Sequence, residues 1–136
     1  MKIWYGYGSE HSMNLVMIGR FKNVDDAEKA KQIIDSITES VSADVEEGLL
    51  EAGNPPQRFS ERMLEILQKA KVYIIGANEF EQFTYDVRIR VVGDKVVLTT
   101  DESDVSAFLK VLINEGAKVE VYSAHNYPDT EYGRGK

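Results

Sequence analysis

The chain has 136 residues, 43% of them hydrophobic and 29% charged, a size and balance that suit one packed domain and exclude disordered or fibrous classes. It contains no cysteine, which rules out disulfides, thiolate metal sites and thiol nucleophiles and removes the main sign of secretion. With 16 basic against 23 acidic residues the formal charge is −7, a field that disfavours nucleic acid and anionic membranes.

No signal-peptide core is visible, nor any run of about 18 apolar residues, so a cytoplasmic protein without a membrane partner is expected. In chain order, residues 2–7 alternate, with Ile3, Tyr5 and Tyr7 against Trp4 and Gly6, and predict a short first strand. Turn formers at 8–12 lead into the apolar run 14–21, which reads as an interior strand. Asn23 then offers a helix cap, and Val24, Ala27, Ala30, Ile34, Ile37 and Val41 recur at helical spacing.

Residues 42–71 read as an insertion. Its first part suggests a short helix near 44–51 that Gly53-Asn54-Pro55-Pro56 must end, and Ser60 caps a second helix over 61–71 marked by Met63, Leu64, Leu67 and Ala70. The apolar stretch 72–75 is too short for periodicity to separate strand from helix end. Residues 85–91 and 95–99 alternate around Gly93-Asp94, predicting a two-residue hairpin. A further helix is expected from a cap at Asp101 or Ser103 to a left-handed stop at Gly116, followed by a strand around Val119 and Val121 and a polar tail over 125–136.

Apart from the first strand and the inserted helix, this order matches a ferredoxin-like, split βαβ arrangement within a single α+β domain over 1–124: an antiparallel sheet with helices on one face. The topology carries no function of its own. It predicts that Leu15, Met17, Phe21, Val87, Ile89, Val91, Val96, Leu98, Val119 and Val121 face the helices. Val16, Ile18, Arg20, Arg88, Arg90, Val97, Thr99, Lys118, Glu120 and Tyr122 then lie on the opposite face.

Two residue groups have chemistry to offer. The fold should bring His11 and His125 to one sheet edge beside the Gly93-Asp94 turn, where Glu10, Ser12, Asp94 and Asp129 could serve as proton-relay partners or oxygen ligands. Trp4, Tyr5 and Tyr7 could stack on a ligand or a partner, and Arg20, Arg88 and Arg90, with Tyr122, could hold an anion on the sheet. No spacing specifies a metal, and no cofactor is indicated.

The expected function is a small non-enzymatic ligand-binding or protein-interaction module that self-associates as a two-fold dimer, through the sheet face or the aromatic first strand. The alternative is a small enzyme or metal-binding protein with its site near His11 and His125. Nucleic acid is an unlikely partner on charge grounds, and the sequence names no small-molecule ligand.

Overall fold

The computed structural model describes residues 14–51 and 54–123, and the expected first strand and tail lie outside them. It is an α+β structure with a four-strand antiparallel sheet and four helices among the described residues. In chain order these are β1 Leu15–Arg20, α1 Val24–Glu46, α2 Glu61–Ala70, a 3₁₀ helix Ala77–Thr84, β2 Val87–Val92, β3 Lys95–Thr100, α3 Ser106–Asn114 and β4 Lys118–Ser123. The sheet order is β2-β3-β1-β4, and every neighbouring pair is antiparallel.

Local chemistry sets the element ends. The Asn23 side chain accepts from the Asp26 N–H at 2.8 Å, satisfying an orphan donor of the first turn of α1. Gly93 takes φ 61° in the β2–β3 turn, and Gly116 takes φ 97° after α3, both conformations that favour glycine. No helix among the described residues is long and apolar enough to cross a membrane.

Two expectations need correction, and the stretch left open is resolved. The short helix expected near 44–51 does not form separately, because α1 runs on to Glu46, with the fully buried Asp44 continuing its buried stripe from Ile37 and Val41. A polar residue on an apolar stripe hides the helix from a hydrophobic pattern. Residues 72–75 join no strand among the described residues, and the 3₁₀ helix that follows them was not foreseen. Neither Asp101 nor Ser103 caps α3: the Gln82 side chain, from the 3₁₀ helix, accepts from the Ala107 N–H at 2.7 Å.

The ladder assigns the sheet faces as the alternation predicted. Met17 lies level with Leu98 and Val121, and Ile89 with Leu98, so the four share the face on which the helices pack. There Met17, Leu98 and Ile89 join Ile34, Ile37, Phe80, Phe108 and Leu112 in the main core, whereas Val121, expected in it, is 46% exposed on the edge strand β4. Gly19 lets α3 approach the sheet, since a Cβ there would lie 3.2 Å from Leu112 Cδ1. On the other face Val16, Ile18 and Val97 form a second apolar cluster with Tyr122 against it. They were expected to be an exposed surface, but their exposures are only 1%, 6% and 1%.

The 3₁₀ helix and α3 are joined by a buried polar network. Glu79 accepts from the Gly76 N–H at 2.7 Å, Ser106 Oγ at 2.5 Å and Lys110 Nζ at 2.7 Å. Burial pushes the Glu79 carboxyl up, but the bonds from Gly76, Lys110 and Ser106 outweigh it and hold the group below the ordinary 4.5. A carboxyl depressed in the folded state stabilises the fold above its unfolded value and loses that contribution as pH falls through the folded value. Urea midpoints measured from neutral pH downward should therefore decline below about pH 4.5, and Glu79→Gln should show a smaller decline across the same window.

Candidate functional site

Helix α2 packs on α1, with Met63 and Leu67 buried in the main core. Asp44 fixes it there. One Asp44 oxygen accepts from Arg62 Nη1 at 2.6 Å and the other from Ser60 Oγ at 2.7 Å. The same Ser60 oxygen accepts from the Met63 N–H at 3.1 Å, so a single hydroxyl caps α2 and ties it to α1. Arg62 also bonds the Glu47 carboxylate, and the hydrogen bonds it donates to Asp44 and Glu47 raise its pKa further.

From that joint α2 runs back along α1. Its far end is held near the end of α3, where Asn114 Nδ2 donates to the Lys71 carbonyl at 3.3 Å and Lys29 pairs with Glu115 at 3.6 Å. Between the two joints lies a groove of about 720 Å³. Its floor is apolar, from Ile33, Ala43, Ile66 and Ala70, with the hydroxyls of Ser36 and Ser40 one helical turn apart on α1. Its rim carries Lys29, Arg62, Lys69 and Lys71, against one acid, Glu39. A volume of this size lies within the usual range of small-ligand clefts.

The opposite side of α2 is a shallow apolar dish of about 450 Å³ lined by Phe59, Leu64, Leu67, Gln68, Tyr73 and Ile75. Phe59 and Leu64 both line it, and Phe59 also stands edge-on to Phe80 at 6.0 Å between ring centroids. In the stretch 72–75, Val72 and Ile75 are buried while Tyr73 and Ile74 are 69% and 49% exposed. Leu64 adds 53%. A third feature, beside the 3₁₀ helix, is the buried Glu81, whose Oε2 has no partner among the described residues. Tyr85 is held far above its ordinary pKa by burial and by its hydrogen bond to Glu81.

Trp4, Tyr5, Tyr7, Glu10, His11, Ser12, His125 and Asp129 lie outside the described residues. Asp94 lies at the far end of β1 from Leu15. Leu15, which follows the first group in the chain, pairs with Ser123, whereas Asp94 adjoins Lys95, the partner of Arg20 at the other end of β1. Its carbonyl accepts from the Phe21 N–H at 2.9 Å, about 17 Å along the sheet from Leu15. Antiparallel pairing requires this, because the β2–β3 turn falls at the end of β1, not at its start.

Arg20 pairs with Glu120 at 2.7 Å and stands level with Lys95 and Lys118. Arg88 and Arg90 sit two strands away on the edge strand β2, about 10 Å across the sheet. Charges on an edge strand discourage pairing with another sheet, which accounts for Arg88 and Arg90. Tyr122 packs on the buried Val16, Ile18 and Val97 cluster. Among the described residues no group of three or more histidine or acidic side chains could hold a metal ion.

Sequence reasoning missed the groove. Arg62, Ile66 and Lys69 recur at i, i+4 and i+7, a mixed stripe that could have marked a second face on α2, but Lys29 and Gln32 read as ordinary solvated residues of α1. Asp44, with its partners 16 and 18 residues away, carried no local signal. Removing it should be costly: Asp44→Ala is expected to lower stability by about 2–4 kcal/mol, read from urea unfolding followed by circular dichroism.

The chain matches a family of unknown function, DUF6375, over residues 1–134. No curated protein and no solved structure matches it.

Proposed function

This chain belongs to the DUF6375 family of unknown function, and from its own geometry we propose that it is a non-enzymatic interaction module that self-associates as a two-fold dimer through the α2 dish. The observation that carries this reading is the exposure of Leu64 on α2 and of Tyr73 and Ile74 in the stretch 72–75, with Phe59, Leu64 and Tyr73 lining the dish. Contiguous exposed apolar groups of this kind mark contact surfaces, and aromatic anchors are favoured in them. The sheet face is a poorer surface for the purpose, because its apolar centre is already buried.

The fold reading belongs here as well. Strand order β2-β3-β1-β4 with all pairs antiparallel supports a ferredoxin-like, split βαβ core, in which β1 and β2 flank β3, and β3 and β4 flank β1. We read 1–124 as one domain with 42–71 inserted and 125–136 as a tail. A cysteine-free chain of net charge −7 supports a cytoplasmic location and disfavours nucleic acid.

The dimer is tested by sedimentation across a concentration series. The wild-type chain should show a reversible monomer–dimer equilibrium, and Tyr73→Asp with Ile74→Asp should leave a folded monomer, while Arg88→Glu with Arg90→Glu should leave the dimer intact. A wild-type chain that stays monomeric at the highest concentration defeats the reading.

A second reading, an enzyme or metal-binding site using His11 and His125, draws support from the pairing of Leu15 with Ser123, the strand ends that lead toward them. Both histidines should then show coupled, shifted titrations by NMR, altered when either is replaced by alanine. Independent titrations near the ordinary histidine value would remove it.

A further inference from the structure

We infer that the groove between α1 and α2 is a binding site for an apolar anion, specifically a medium-chain carboxylate. Its head group would lie between Lys29, Lys69 and Lys71 and its hydrocarbon body along Ile33, Ile66 and Ala70. This goes beyond the dimer and does not depend on it, since the groove and the dish lie on opposite sides of α2.

Charge separates the two ends of the groove. At the Asp44 end the single cation, Arg62, is taken up by Asp44 and Glu47, so that end is locally compensated. At the other end stand three lysines. Lys29 makes only a long contact to Glu115, and Lys69 and Lys71 have no ion-pair partner among the described residues. On a chain of net charge −7, three lysines facing an apolar floor with Glu39 as the one lining acid form a local reversal of sign. An anionic head complements that end, and an apolar body complements the floor.

Lys71 strengthens the assignment. It closes α2 in the left-handed conformation, φ 57°, at a position where glycine is the usual residue. A lysine kept there at a backbone cost contributes through its side chain, and that side chain lines the groove. Along the groove, α2 from Arg62 to Ala70 spans about 12 Å, room for an extended medium chain. A bare anion would leave the floor unused, and a neutral chain would leave the lysines without a partner.

Titration calorimetry with decanoate, kept below micelle formation, is the test, with decanol and inorganic phosphate as the two halves of the ligand. Decanoate should bind saturably at one site per chain and at least about tenfold more tightly than either half. Lys69→Glu with Lys71→Glu should weaken decanoate by about tenfold or more while circular dichroism and the sedimentation profile stay those of the wild type. The inference is overturned if decanoate does not bind, if decanol or phosphate binds as well as decanoate, or if the folded double variant binds decanoate unchanged. Failure of the dimer would leave all of these outcomes readable.

Discussion

A carboxylate with no exposure to solvent, Asp44, holds α2 and the two surfaces on either side of it in place. Burying a charge is costly unless it is paired and hydrogen-bonded, and both conditions are met by the Arg62 guanidinium and the Ser60 hydroxyl. The arrangement is directional. A hydrophobic contact between α1 and α2 would tolerate a range of angles, whereas a carboxylate that must reach a capping hydroxyl and a guanidinium at once admits few. Met63 and Leu67 provide the burial that keeps α2 against the domain, and Asp44 decides where along α1 it sits.

Seen this way, the domain divides its labour. The sheet, α1, α3 and the 3₁₀ helix form a core whose polar contacts look inward: Glu79 is saturated by Gly76, Ser106 and Lys110, and Gln82 spends its side chain on the start of α3. The α2 segment looks outward. One side of α2 presents lysines above an apolar floor and the other presents bare apolar side chains.

Much of the core was legible because period-2 and period-3.6 patterns record which side of an element is buried. The alternation of Val87, Ile89 and Val91 with Arg88 and Arg90, and the recurrence of Ala27, Ala30, Ile34 and Ile37, translate directly into the faces observed. The misses share a cause. Asp44 in a helix interior, Gln82 capping a helix 25 residues away and the mixed stripe on α2 acquire meaning only from distant partners, which periodicity does not encode. The displaced Asp94 is of another kind: it followed from reading the hairpin turn onto the wrong end of β1, an error of strand direction that the register makes plain. The buried state of Val16, Ile18 and Val97 shows that alternation tells which face a residue occupies but not whether that face is wet.

The two joints that bound the groove differ in kind. At one end stand a desolvated ion pair and a capping hydroxyl. At the other, a 3.3 Å amide contact and a 3.6 Å lysine–carboxylate pair are longer and weaker. The helix pair is therefore fixed by polar contacts chiefly at the Asp44 end, while its lysine end is held mainly by the burial of Leu67 and Val72 in the core beneath.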